Sequence, residues 1–84
     1  MHCTEKISLV IYHQNGDVYF QTDSTCSNGW CQINYGTAEK NKTGLAMLLS
    51  AKLAERPVTF YWSGINACSE KNAVYASPGY MMLP

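Results

Sequence analysis

No segment of the chain is apolar over the roughly 18 residues that a membrane-spanning helix requires. Charge is sparse and balanced, with six Lys and Arg against six Asp and Glu. A formal charge of zero removes the usual electrostatic drive towards nucleic acid or acidic membranes, so neither nucleic-acid binding nor membrane insertion is expected. There is no glycine-rich phosphate loop, internal repeat, low-complexity tract or linker. No apolar leader is visible either, because Met1, His2 and Cys3 run directly into a polar stretch. Met1 is then either native or a start codon before a mature sequence, and the two imply opposite redox compartments. No Ser/His/Asp order stands out. Glu5, Asp17, Asp23, Glu39, Glu55 and Glu70 are scattered in or beside polar stretches and read as solvated surface. A non-catalytic protein without cofactor or metal is expected.

The 84 residues form one small domain, 1–84. A domain of this size buries only about 60% of its unfolded surface and often needs disulfides, metals or oligomerisation. One helix is predicted. Thr43 reads as its N-cap, Leu45 to Ala54 are mostly strong helix formers, and Pro57 ends it. At about 100° per residue, Ala46, Leu49 and Leu53 share a face assigned to the core. Lys52, Glu55 and Arg56 lie opposite, with Leu45 and Leu48 at the edges of that charged side. Met47, Ala51 and Ala54 occupy a third side without charge. A helix apolar on more than one side is buried on more than one side, which marks these three residues as a candidate homo-oligomer interface. Asn41-Lys42-Thr43 matches a glycosylation sequon but is read as the helix start.

The strands are read from alternation. Lys6–His13 is one strand, with Ile7, Leu9 and Ile11 on one face. Asn15-Gly16 predicts a type I′ hairpin into Asp17–Asp23. A polar connection with a second Asn-Gly, Asn28-Gly29, leads to a short strand, Gln32–Tyr35. Val58–Trp62 follows the helix, and Ala73–Leu83 is a last strand broken by Pro78-Gly79. The order β-β-β-α-β-β, in an α+β, mostly β chain, is that of a five-stranded Greek-key barrel of the OB type, with the helix between the third and fourth strands.

Four cysteines are present. Cys26 and Cys31 bracket the connection between the second and third strands, where a bridge is geometrically reasonable. In a Greek-key barrel the first and fourth strands pair antiparallel, which brings Cys3 near Cys68. Four cysteines nevertheless allow three connectivities, and four free thiols in a cytoplasmic protein are the alternative. A zinc site lacks a second short-spaced ligand pair. Six Tyr and two Trp exceed what a small core needs. Sugars stack on aromatic faces while Asn, Asp and Thr bind their hydroxyls. Trp30, beside Asn28-Gly29, is the aromatic residue expected to be most exposed and a candidate ligand contact.

The stretch Leu45–Trp62 resembles the helix-to-strand segment of the B subunits of subtilase-type bacterial toxins, which carry a helix, a tight turn and an aromatic strand. The first hairpin is also similar to theirs, and small bacterial proteins of unknown function share the layout. The resemblance implies a secreted or periplasmic, ring-shaped pentamer with its helices at the pore, glycan recognition, and a separate toxin A-type subunit as partner. The implied sugar site falls on Thr4 and Trp62, where the toxin subunits place a serine and a tyrosine nearby. The rival reading is an intracellular structural or interaction protein with the same barrel. Single-stranded nucleic-acid binding would need a basic groove, which the charge balance does not supply.

Overall fold

The computed structural model describes residues 1–27 and 29–84. In chain order its elements are β1 (His2–Glu5), β2 (Ile7–Tyr12), β3 (Val18–Thr22), β4 (Cys31–Ile33), α1 (Ala38–Leu53), β5 (Val58–Tyr61) and β6 (Tyr80–Met82). The expected strand Lys6–His13 is thus β2, and β1 is an additional strand ahead of it. They belong to different sheets, one ordered β1-β5-β6 and the other β2-β3-β4, with antiparallel pairing throughout. This corrects the five-stranded OB-type barrel: the described residues form two three-stranded sheets and one helix, with no closed barrel. The expected pairing of Lys6–His13 with the strand after the helix does not form; β1 takes that place instead, with Cys3 opposite Phe60.

The change of sheet occurs at Lys6. Its N–H donates to Asp23 Oδ1 at 3.0 Å, and its carbonyl accepts from the Asp23 N–H at 3.0 Å. Beyond it, the β2–β3 register slips between Ile7 and Leu9. An extra residue in one strand reverses the alternation that follows. Ile7 is thus buried, while Leu9 and Ile11 face outward and Val10 is half-buried. The last apolar segment also serves both sheets. Ala76 forms a parallel bridge with Cys31 at the edge of β4, and beyond Pro78-Gly79 only Tyr80–Met82 pairs as a strand, with β5. In the β2–β3 hairpin a turn is closed by the Gly16 N–H on His13 O at 2.9 Å, and Gly16 alone takes positive φ, at 92°. The connection is therefore not the type I′ turn, which needs positive φ at both Asn15 and Gly16. Of the second Asn-Gly, Asn28 lies outside the described residues.

The two sheets meet through Phe20 of β3 and Phe60 of β5, whose rings stack at 5.4 Å, with Trp62 at 5.3 Å from Phe60. Val18, Ile33 and Val58 are fully buried with them, together with Leu48 from the helix. The helix starts six residues earlier than Thr43. Thr37 is the N-cap, accepting from the Lys40 N–H at 3.2 Å, and Thr43 sits inside the helix, donating to Glu39 O. The helix ends in paired carbonyl caps, Glu55 N–H to Lys52 O and Arg56 N–H to Ala51 O, with Glu55 at φ 55°.

The buried face of the helix is Gly44, Leu48 and Ala51, not Ala46, Leu49 and Leu53. Gly44 decides this rotation. A Cβ there would lie 2.7 Å from Ile33 Cγ2, so glycine lets the helix backbone come down onto β4. Ala46, Leu49 and Leu53 turn outward, and Leu53 is 85% exposed.

Both disulfides are present, Cys3–Cys68 and Cys26–Cys31. The first spans 65 residues and the second 5. Loop-closure entropy gives the longer bridge about 4 kcal/mol and the shorter about 2 kcal/mol. No described helix is long and apolar enough to cross a membrane.

Gly44→Ala weighs a helix-propensity gain of about 1 kcal/mol against overpacking of about 1–3 kcal/mol. Ile33 is fully buried and cannot yield, so the substitution is expected to destabilise the chain by about 1 kcal/mol in chemical denaturation. A rise in stability would show that the helix is not seated on β4.

Candidate functional site

Alternation in β5 sends Val58, Phe60 and Trp62 inward and leaves Thr59 and Tyr61 on the outer face. The register of β1-β5-β6 then aligns two rows across that face. His2 lies opposite Tyr61, and Tyr61 opposite Tyr80; Thr4 lies opposite Thr59, and Thr59 opposite Met82. The first row is aromatic throughout. Tyr61 and Tyr80 are parallel to within 2° at 5.1 Å, and His2 stands 5.2 Å from Tyr61 and 5.5 Å from Tyr80, tilted to both. His2 Nε2 and the Tyr80 hydroxyl share a hydrogen bond. The second row carries paired hydroxyls, Thr4 Oγ1 and Thr59 Oγ1, 2.8 Å apart.

Gly79 is needed beside this row. A Cβ on it would meet Tyr61 Cδ2 at 3.0 Å, and its N–H donates to Tyr61 O at 2.8 Å. The result is a solvent-facing platform of π surface bordered by hydroxyl groups. Tyr80 also borders a groove of 480 Å³ between α1 and the last strand, lined chiefly by Tyr35, Lys40, Gly44, Met47 and Met81. The Tyr35 hydroxyl is buried without a hydrogen-bond partner among the described residues, and burial pushes its pKa up.

The sequence-derived site residues are distributed differently. Thr4 is on the platform. Trp62 is 1% exposed and cannot stack on a ligand. It is one position out of phase, since Tyr61 holds the outward place. Trp30 is half-buried and lies with the other sheet, lining a separate cleft with Ile11, His13, Tyr19 and Tyr75. The structure thus does not bring Thr4, Trp30 and Trp62 together. His2, Thr59, Tyr61 and Tyr80 were missed, although the alternation of Val58–Trp62 carries the signal for Thr59 and Tyr61. Of the helix residues read as an oligomer interface, Ala51 is 2% exposed in the chain's own core, Met47 is half-buried in the groove, and Ala54 is exposed. All four cysteines are in disulfides, and no cluster of three His, Cys, Asp or Glu able to hold a metal occurs among the described residues.

Glu5 corrects the reading of the acidic residues as solvated surface, being 2% exposed. Its Oε1 accepts from the Thr22 hydroxyl at 2.6 Å, the Thr25 N–H at 2.7 Å and the Thr25 hydroxyl at 2.8 Å. Its Oε2 accepts from the Thr25 hydroxyl at 2.9 Å and from Trp62 Nε1 at 2.9 Å. These donors are neutral and come from β3, the loop after it and the residue after β5. The arrangement satisfies a buried carboxylate in place of water. It orients Trp62 inward and so holds Tyr61 outward.

No family model, curated protein or solved structure matches the chain.

Glu5→Gln tests the network. An amide group must face either the Thr25 N–H or the Trp62 N–H, and neither can accept. The expected loss is about 1–3 kcal/mol of stability, read in chemical denaturation at neutral pH. Unchanged stability would mean that the carboxylate does not join the two sheets.

Proposed function

We propose that the chain is a non-catalytic glycan-binding module whose sugar-binding surface is the outer face of the β1-β5-β6 sheet. The aligned row His2, Tyr61 and Tyr80 beside the Thr4–Thr59 hydroxyl pair carries this reading. A pyranose presents a C–H face and a rim of hydroxyls, and the platform offers the complement of each. Tyrosine supplies contact area at low cost in side-chain entropy. Two disulfides persist in oxidising compartments, which supports a secreted or periplasmic location.

The same reading includes a homo-oligomer, five-membered if it follows the toxin B subunits that the sequence resembles. The surface that supports it is the outward side of α1, Ala46, Leu49 and Leu53, which the chain's own core leaves in solvent. Burying such a side yields roughly 25 cal/mol per Å², and closed symmetry leaves no adhesive end. An interaction module without a sugar site is the second reading, favoured by the same helix side.

On a glycan array, binding is expected, and Tyr61→Ala should weaken it roughly tenfold with the fold unchanged by circular dichroism. A folded chain silent across a diverse array would leave only the interaction module. In light scattering the chain should run above the 9.4 kDa of the monomer, and Leu53→Glu should return it to that mass. A monomer at high concentration would remove the assembly from this reading.

A further inference from the structure

The second sheet carries a different feature on its own outer side. Tyr19 of β3, Trp30 before β4 and Tyr75 from the last segment line one cleft of 230 Å³, with Ile11 and His13 beside them. The rings of Tyr19 and Tyr75 are 5.4 Å apart and inclined at 55°, so their faces meet at an angle instead of packing flat. The Tyr19 hydroxyl donates to Asp17 Oδ2 at 2.9 Å, which places a carboxylate next to that ring.

Tyr75 is held there against its backbone preference. It takes φ 65°, a left-handed conformation that is uncommon for a bulky residue. Its N–H donates to the carbonyl of Trp30 at 2.6 Å. That bond ties the backbone of one wall to the backbone of another. The Tyr75 side chain is nonetheless 54% exposed, so burial in the core does not account for the strained placement. Strain of this kind collects at ligand clamps.

The chemistry of the cleft selects its ligand. Tyr19, Trp30 and Tyr75 line it with π surface of negative quadrupole potential, and Asp17 adds a carboxylate at the Tyr19 hydroxyl. The volume is below the roughly 300–1,000 Å³ of sites for drug-sized ligands, and suits a single headgroup. Its lining residues include no Lys or Arg. A primary ammonium would lose strong hydration on entering such an apolar cleft, whereas a methylated one is weakly hydrated and keeps its charge. Aromatic cages of this composition bind quaternary ammonium groups. We propose that the Tyr19–Trp30–Tyr75 cleft is a binding site for a quaternary ammonium group of the choline type, independent of the glycan platform on the other sheet.

The probes are tetramethylammonium and choline, titrated into the native chain and followed by NMR of the aromatic side chains. Saturable shifts are expected at Tyr19, Trp30 and Tyr75 and not at Tyr61 or Tyr80. Neohexyl alcohol, the uncharged carbon isostere of choline, should bind about tenfold more weakly or worse. Tyr75→Gly is the decisive variant, because glycine adopts the left-handed conformation freely. It should retain the fold and stability while weakening choline binding about tenfold, and Trp30→Ala should act in the same direction. Capture of the chain by phosphatidylcholine vesicles would support the site with a lipid headgroup as the source. Saturable binding of free choline without vesicle capture would support it with a soluble source. Absence of saturable binding, equal binding of the uncharged isostere, or full affinity in the folded Tyr75→Gly variant would each overturn it.

Discussion

The structure depends on a buried carboxylate held by neutral hydrogen-bond donors. Glu5 ends β1 one residue before the chain leaves one sheet for the other, and its oxygens collect donors from Thr22, Thr25 and Trp62. An unpaired carboxylate in this position would cost several kcal/mol, so the segments that carry the donors must come together when β1 is buried. Hydrophobic contact between Phe20, Phe60 and Trp62 supplies the larger driving force, but it is non-directional. The carboxylate supplies direction. It selects the one rotation of the sheets in which Trp62 Nε1 reaches Oε2.

Covalent closure supports this small core. Cys68 tethers the long loop after β5 to Cys3 in β1, and Cys26–Cys31 closes the connection before β4. The closed connection places Trp30 where the last segment can pair with it through Tyr75. Two strands of three residues each, β4 and β6, are weak elements by length. Both receive their partners from this stapled framework.

Function follows from the outward faces that such a core leaves over. Each three-stranded sheet is covered on one side only, and each uncovered side carries tyrosine. On the β1-β5-β6 sheet the tyrosines align with histidine and threonine hydroxyls in an open, amphipathic surface. On the other sheet they close around a small apolar cleft. The two faces differ in shape and in polarity, which is why they are read as sites for different chemistry.

Much of this was legible from residue order. The body of the helix with its stop before Pro57 and the strands within Asp17–Asp23 and Val58–Trp62 follow from local pattern. The two cysteine pairs were favoured by position while three connectivities stayed open, and the strand expected to pair with β5 was Lys6–His13, whereas His2–Glu5 takes that place. Local pattern did not locate the helix N-terminus, because Thr37 and Thr43 are both competent caps and the choice depends on Asn41 Oδ1 receiving the Tyr35 N–H. It did not show the bulge after Ile7, since an unbroken alternation and a slipped one contain the same residues. Nor could it show that Gly44 faces β4, because the value of a missing side chain exists only where another element approaches.

The sequence by itself determined the body of the helix and most of the strand segments, and that aromatic residues would exceed the needs of the core. Tertiary structure alone decided that these strands divide into two sheets, that Glu5 is buried, and that Tyr61 rather than Trp62 faces the solvent. The physical reason is that strand propensity and helix capping act over a few residues, whereas side-chain phase is set by register. Register here is fixed by one slipped residue and by a carboxylate whose donors lie 17, 20 and 57 positions away along the chain.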